Sequence, residues 1–114
     1  MPRNMSFQMT TDQYRNRTKT VTRRLGWWNL KPGEICNGVE KAQGLKKGEK
    51  MVVMGQHRIV SSQPEMLCTI DQNEVIREGF PGMTPKEFVA FFLEGHKCKN
   101  GALEMVNRIE FEYL

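Results

Sequence analysis

The chain has few of the residues that build disulfide frameworks or zinc sites. Its cysteines, Cys36, Cys68 and Cys98, lie about thirty residues apart and form no Cys-x-x-Cys pair. The spacing therefore indicates neither a disulfide-stapled fold nor a zinc ribbon. His96 and Cys98 offer two metal ligands, but no second pair in the sequence matches them. We predict no metal and no cofactor, and we expect free thiols in a reducing compartment.

Long hydrophobic runs are also absent. The longest ones cover residues 51–54 and 88–93, far fewer than the roughly 20 apolar residues of a membrane-spanning helix. The opening segment Met1-Pro2-Arg3-Asn4 has no apolar signal region behind it. We therefore expect a cytoplasmic protein that has no membrane partner.

Acidic residues are fewer than basic ones. The 17 lysines and arginines outnumber the 13 aspartates and glutamates, which gives a net charge of +4 and favours an anionic partner such as RNA or a nucleotide. Apolar residues make up 39% of the 114 residues, enough to bury a core and too many for a disordered chain. We expect a single domain over residues 1–114.

The stretch Lys19-Thr20-Val21-Thr22-Arg23-Arg24 is the most distinctive part of the chain. Its β-branched residues favour an extended strand, in which Lys19 and Thr22 would point to opposite faces. A cation buried without a partner costs several kcal/mol. We therefore predict that the stretch lines a solvated cleft. The simpler alternative is that Arg23 and Arg24 pair with Glu110 or Glu112 on a neighbouring strand.

Hydrophobic patterning and turn residues predict an α+β fold. Strands are expected over residues 6–9, 19–24, 35–41, 51–54, 57–62 and 108–113, and helices over residues 10–17, 71–77 and 85–95. The strand at residues 51–54 is expected to be buried on both faces, and Pro64 marks an edge or an exit. This order favours a small mixed barrel or a curled sheet with helices on one side.

The third helix has the clearest start signal. Thr84 precedes a proline, and Glu87 stands three positions later, which is typical of a capping box. Phe88, Phe91 and Phe92 then form an apolar stripe at helical spacing. We expect all three phenylalanines to face the core.

Five short stretches together carry a family resemblance. They are residues 17–24, Leu30-Lys31-Pro32-Gly33-Glu34, Glu78-Gly79-Phe80, Met83-Thr84-Pro85-Lys86-Glu87-Phe88 and Arg108-Ile109-Glu110-Phe111. In this order they resemble the ASCH domain, the activating signal cointegrator homology family, over nearly the whole chain. The resemblance implies a PUA-like mixed β-barrel flanked by short helices, with a cleft for RNA or nucleoside ligands.

Within that family the motifs are most similar to a small bacterial branch of N4-acetylcytidine amidohydrolases. The resemblance implies that Lys19, Thr22 and Glu78 are catalytic. Cleaving an N-acyl group needs a nucleophile, a group that accepts its proton and a donor for the departing amine. Thr22 suits the role of nucleophile. Lys19 could accept its proton or stabilise an oxyanion, and Glu78 could transfer the proton onward. A lysine base needs a pKa well below roughly 10.4.

The sequence also departs from that branch. Arg17 replaces a usual glycine and Arg23 replaces an aliphatic residue, and the added charge favours a ligand that bears phosphate. The candidate ligand-binding residues are Arg17, Arg23, Arg24, Trp27 and Trp28. Two functions remain open, a hydrolase of an acylated cytosine and a non-catalytic RNA-binding or regulatory module.

Overall fold

The computed structural model describes residues 2–42 and 44–114, so the predicted domain over residues 1–114 includes Met1 and Gln43, which lie outside the described residues. It shows a mixed α+β fold, which confirms the predicted class and order of elements. The strands are β1 (Arg3–Ser6), β2 (Val21–Arg24), β3 (Ile35–Val39), β4 (Val53–Met66) and β5 (Met105–Tyr113). The helices are α1 (Thr11–Arg15), α2 (Gln72–Arg77) and α3 (Pro85–Gly95), with short 3-10 turns at Leu67–Thr69 and Gly101–Leu103.

The five strands form one sheet in the order β1-β3-β4-β5-β2. β1 runs parallel to β3, and the other neighbouring pairs are antiparallel. The sheet curls into a half-barrel, and a side chain joins its two outer strands. Arg24 on β2 donates a hydrogen bond from Nη2 to the carbonyl oxygen of Ser6 on β1, over 2.6 Å.

β4 is the longest strand and differs most from the prediction. Two strands were expected at residues 51–54 and 57–62, but a single strand runs from Val53 to Met66, with a register shift between Ile59 and Ser61. Val52 and Val53 are 43% and 55% exposed, so the expected burial on both faces is wrong. The β3–β4 ladder ends at the pair Val39–Val53, and the β4–β5 ladder begins only at His57, so this end of β4 is paired on one side.

Pro64 lies inside β4 and does not end it. Residues 61–66 of β4 pair with β5, whereas the ladder to β3 covers residues 53–58. This half of β4 therefore has an open edge, where a proline removes no ladder hydrogen bond. The sequence correctly indicated an edge at Pro64, and the predicted exit is wrong.

The first strands and helix are shorter than predicted or shifted. The strand expected at residues 6–9 lies at β1 instead, because the chain turns where the Thr10 amide donates to the Phe7 carbonyl oxygen. α1 ends before Arg17, whose φ of 59° is left-handed. β2 begins at Val21, so Lys19 precedes the strand, and β3 ends at Val39.

Two hydrophobic clusters fill the molecule. The first lies within the curl of the sheet and comprises Met5, Phe7, Tyr14, Leu30, Cys36, Ile59, Ile109 and Phe111. The second packs α2 and α3 against the start of β5 and comprises Leu67, Ile70, Val75, Phe88, Phe92 and Val106. Burying side chains of this size supplies most of the stabilisation of such a fold.

Tyr14 fixes how closely α1 packs on the sheet. Gly38 and Gly55 are paired across β3 and β4, and a Cβ atom at Gly38 would overlap the Tyr14 ring. Tyr14 Oη lies 2.9 Å from Nδ1 of His57, which is fully buried. Burial lowers the pKa of His57 to about 4, so the imidazole is neutral near pH 7.

α3 begins as predicted. Thr84 Oγ1 accepts from the Glu87 amide at 3.1 Å, and Glu87 Oε1 accepts from the Thr84 amide at 2.9 Å, which completes the capping box. Phe88 and Phe92 are buried, whereas Phe91 is half-buried and lines a cavity, so its assignment to the core is wrong. Among the described helices, none is long and apolar enough to cross a membrane.

Candidate functional site

A cavity of about 290 Å³ lies between the two hydrophobic clusters. We call it the aromatic cavity, because its walls include Phe7, Trp27, Phe80, Phe88, Phe91 and Phe92. Its polar lining comprises Ser6, Gln8, Thr10, Lys19, Thr22, Arg23, Arg24, Glu78 and His96. Its size is near the lower end for sites of small molecules, and an apolar wall with a few convergent polar groups is typical of them.

Lys19 and Glu78 form a buried ion pair in the wall of the aromatic cavity. Lys19 Nζ lies 2.6 Å from Glu78 Oε1 and also donates to the Glu78 carbonyl oxygen at 2.9 Å. Glu78 follows α2 and precedes Gly79, whose φ of 101° is left-handed. A Cβ atom at Gly79 would lie 2.6 Å from Gln13 Cγ and 3.5 Å from Lys19 Cβ. A glycine is therefore required where this chain segment meets Lys19.

Burial lowers the pKa of Lys19 below its ordinary value, and Arg23 and Arg24 act in the same direction. The Glu78 carboxylate opposes this shift. A lysine with a lowered pKa loses its proton more readily, as a general base must. The direction of this shift is the one that a lysine base needs.

Thr22 lies in β2 opposite Ile109 and is 4% exposed. In a flat strand over residues 19–24, Lys19 and Thr22 would point to opposite faces. Because β2 begins at Val21, the alternation of faces does not extend to Lys19. Both side chains line the aromatic cavity.

Arg23 is neutralised by three carboxylates. Its guanidinium lies 2.7 Å from Glu65, 2.9 Å from Glu74 and 3.1 Å from Glu78. Glu74 lies in the first turn of α2 and Glu78 caps its C-terminal end, and this spacing of four residues brings both to one helix face. Arg23 therefore holds Glu78 in place and supplies no spare charge to a ligand.

The predicted pairing of Arg23 or Arg24 with Glu110 or Glu112 is wrong. Glu110 pairs with Arg77 and Arg108, and Glu112 pairs with Arg58. Arg23 lies directly across from Arg108 in the β2–β5 ladder. Glu74 accepts hydrogen bonds from both of these arginines, which offsets the repulsion between them.

Arg24 differs from Lys19 and Arg23, which both pair with Glu78. Within residues 2–42 and 44–114, no carboxylate lies within 4 Å of its guanidinium. Its guanidinium lies 4.8 Å from the centroid of the Phe7 ring and donates to the Ser6 carbonyl oxygen. Its Nε is buried and has no hydrogen-bond partner. Burial lowers the pKa of Arg24 to about 10, against a partial opposing effect of Glu78.

The other predicted ligand-binding residues divide into two groups. Trp27 lines the aromatic cavity and has a left-handed φ of 60°. Trp28 is 56% exposed and is not part of the cavity lining. Arg17 also lies outside the lining, with its guanidinium 5.5 Å from the centroid of the Tyr113 ring.

His96, which the sequence offers only as a metal ligand beside Cys98, lines the aromatic cavity together with Phe80. The His96 ring stacks on Phe92 at 4.1 Å between centroids, and its Nδ1 lies 2.9 Å from the Phe92 carbonyl oxygen. The carbonyl oxygen can only accept, so Nδ1 carries the proton of this hydrogen bond. The position of His96 directly after α3 was the available signal.

No family model, curated protein or solved structure matches this chain. Nowhere in the part of the chain that the structure describes do three His, Cys, Asp or Glu side chains come together in a way that could hold a metal ion. Function is therefore inferred from the cavity and from the sequence motifs.

Proposed function

We propose that the aromatic cavity binds an acylated cytosine and hydrolyses its N-acyl group, converting N4-acetylcytidine to cytidine and acetate. The observation that carries this proposal is that Lys19, Thr22 and Glu78 line one cavity, with Lys19 Nζ 2.6 Å from Glu78 Oε1. The proposal includes membership of the ASCH family and its PUA-like fold, because the resemblance concerns these positions. The free cysteines fit the cytoplasmic location that we propose with it.

The reaction begins with the transfer of a proton from Lys19 to Glu78 across their short hydrogen bond. Thr22 Oγ1 then attacks the carbonyl carbon of the substrate amide, and its own proton passes to the neutral Lys19 amine. The carbonyl oxygen becomes an oxyanion, and the protonated Lys19 ammonium stabilises it.

The bond between the carbonyl carbon and the exocyclic nitrogen breaks next. The departing cytosine amine takes a proton from Lys19, and Thr22 is left as an acetyl ester. A water molecule attacks the ester and gives a proton to Lys19, which passes it to the Thr22 oxygen as the acetyl–threonine bond breaks. Acetic acid leaves and loses its proton to solvent as acetate, and Glu78 returns its proton to Lys19. The overall reaction consumes one water for each amide bond broken.

The aromatic walls account for binding of the base. Trp27, Phe80 and Phe91 are half-buried and line the cavity, so each offers ring surface to a ligand. Stacking of a base on an aromatic side chain contributes about 1 to 3 kcal/mol. The same walls exclude water from the amide, which strengthens electrostatic interactions in the site.

A non-catalytic RNA-binding or regulatory module is the second candidate. The observation that favours it is the closed ion pair of Lys19 and Glu78, because an ammonium group accepts no proton. Buried ion pairs also serve purely structural roles. In that case the cavity would bind a nucleotide or RNA and release it unchanged.

Incubation of the protein with N4-acetylcytidine separates the two candidates. We expect acetate and cytidine to appear in equal amounts, and binding to be detectable by calorimetry. Binding without acetate release would support the non-catalytic module. If the protein neither binds nor hydrolyses N4-acetylcytidine, both candidates are contradicted.

A further inference from the structure

A second cavity of about 280 Å³ adjoins the aromatic cavity. The two share four lining residues, Ser6, Gln8, Arg24 and Trp27. Among the residues that the structure describes, the second cavity adds Asn4 and Ala42, and we call it the polar cavity. Arg24 is the charged residue in its described lining, and no acidic side chain lines it.

No acidic side chain of the described residues lies within 4 Å of the Arg24 guanidinium, and Glu78 acts on it only from a greater distance. Glu78 is the carboxylate of the aromatic cavity, and its Oε1 and Oε2 already accept from Lys19 and Arg23. Of the Arg24 donors, Nη2 is bonded to Ser6 and Nε is buried. Within the described residues Nη1 makes no hydrogen bond. An anionic oxygen that reached Nη1 would gain a charge-assisted hydrogen bond and would neutralise this cation.

We propose that Arg24 is a phosphate-binding residue and that the ligand is a nucleotide, with its base in the aromatic cavity and its phosphate in the polar cavity. This proposal rests on the proposed function, because it assigns the base to the same aromatic cavity. Arg24 belongs to the walls of both cavities, so one ligand that carries a flat base and an attached phosphate can occupy both. Guanidinium groups suit phosphate oxygens because their donors lie in a planar fork.

Deacetylation of matched substrates tests the phosphate site. The substrates are N4-acetylcytidine, its 5′-monophosphate and its 3′-monophosphate, each assayed for kcat/KM. We expect one monophosphate to exceed the nucleoside at least about tenfold, the equivalent of a single hydrogen bond to a charged group. Ratios of about one for both monophosphates in the unaltered protein would overturn the proposal.

Variants assign that preference to Arg24. In Arg24→Gln the ratio of nucleotide to nucleoside should fall towards one, and Arg24→Lys should retain part of it. Arg58→Gln is the matched control, because Arg58 is an exposed cation that pairs with Glu112 and lies outside both cavity linings. A preference that survives in Arg24→Gln would overturn the assignment.

Two further measurements keep the test decisive. Arg24 joins β1 to β2, so the loss of Arg24 in Arg24→Gln also removes a contact between the outer strands. A test that needs no variant is the salt dependence of the unaltered protein: its preference for the nucleotide over the nucleoside should shrink as salt is raised. A preference that is independent of salt would count against a phosphate contact. If no substrate is deacetylated, the proposed function fails, and calorimetry with cytidine and its monophosphates still tests the phosphate site.

A dinucleotide identifies the source of the phosphate. If a phosphodiester gives the same preference as a monophosphate, the natural ligand is an RNA strand. If only a terminal phosphate gives it, the ligand is a free nucleotide. Both results support a phosphate contact at Arg24.

Discussion

Lys19 Nζ lies 2.6 Å from Glu78 Oε1, although the two residues are 59 positions apart in the chain. Both side chains are 3% exposed. Removing two charges from water costs several kcal/mol for each ion, and their attraction recovers this only in a good geometry with further hydrogen bonds. Here the Glu78 carbonyl oxygen and Arg23 supply those bonds.

If Lys19, Thr22 and Glu78 act in one reaction, their substitutions should be non-additive. Lys19→Ala, Thr22→Ala and Glu78→Gln should each lower kcat/KM for N4-acetylcytidine by about 10²- to 10⁴-fold. Double variants should lose little more than the single ones, because groups that act in one step share their effect. Thermal unfolding of each variant checks that the protein still folds when one member of the buried ion pair has lost its partner.

Thr20→Ala is the matched control for Thr22→Ala. Thr20 has the same side chain two positions earlier, lies outside both cavity linings and accepts a hydrogen bond from Arg77 at 3.3 Å. We expect it to retain activity. If Thr20→Ala lowers kcat/KM as much as Thr22→Ala does, the assignment of Thr22 as the nucleophile is wrong and the non-catalytic module is favoured.

The deacetylation rate should depend on pH through Lys19. Above the pKa of Lys19, which burial holds below the ordinary value of 10.5, the amine is already neutral and the reaction no longer needs the proton transfer to Glu78. We therefore expect kcat/KM to rise with pH and to level off below pH 10.5. A rate that falls as pH rises through this range would show that the charged ammonium is the required form.

Glu74 should make the fold sensitive to acid. Hydrogen bonds from Arg108 and Arg23 hold its pKa at about 2, below the ordinary 4.5, against the opposing effect of burial. A carboxylate whose pKa is lowered by folding stabilises the folded state above its unfolded pKa, and this is lost as pH falls from 4.5 towards 2. The amount is on the order of 3 kcal/mol.

Denaturant titrations at several pH values measure this loss. In Glu74→Gln the free energy of unfolding should be lower near pH 7 and should change less between pH 4.5 and 2 than in the unaltered protein. An unchanged acid dependence in the variant would show that the carboxylate of Glu74 is not the group responsible.

α3 offers a graded test of packing. Thr84→Ala should cost about 1 kcal/mol because it removes a helix cap. Phe92→Ala should cost about 3 to 5 kcal/mol, since Phe92 is buried in the second cluster. Phe91→Ala should cost less, because Phe91 is half-buried and borders the aromatic cavity. Urea titrations that rank Phe91 above Phe92 would contradict this arrangement.

The helix ends that are marked by capping residues or by glycine could be predicted from the local sequence. The start of α3 follows from Thr84, the proline after it and Glu87, which all act within one turn. The end of α2 follows from Gly79, which adopts the left-handed conformation that glycine permits. β4 was divided wrongly at Gly55 and Gln56, because no local signal shows that both residues pair with β3. The open edge beside Pro64 follows from the end of that ladder at Arg58.

The partners of the site arginines could not be predicted in the same way. Arg23 bonds to Glu65, Glu74 and Glu78, between 42 and 55 positions away. No local pattern distinguishes these carboxylates from Glu110 or Glu112. Juxtaposition of Lys19, Thr22 and Glu78 was expected only from the family resemblance, since residue spacing alone does not bring them together.

The contact between Tyr14 and the glycine pair limits how this sequence can change during evolution. A side chain at Gly38 would occupy the space of the Tyr14 ring, and a Cβ atom at Gly55 would lie 3.9 Å from the Tyr14 hydroxyl. In a related chain with the same fold, a larger residue at position 38 would require a smaller one at position 14. His57 would then lose its hydrogen-bond partner and would have to change as well. These positions should therefore covary, and such a group of coupled positions could identify distant relatives whose other residues have diverged.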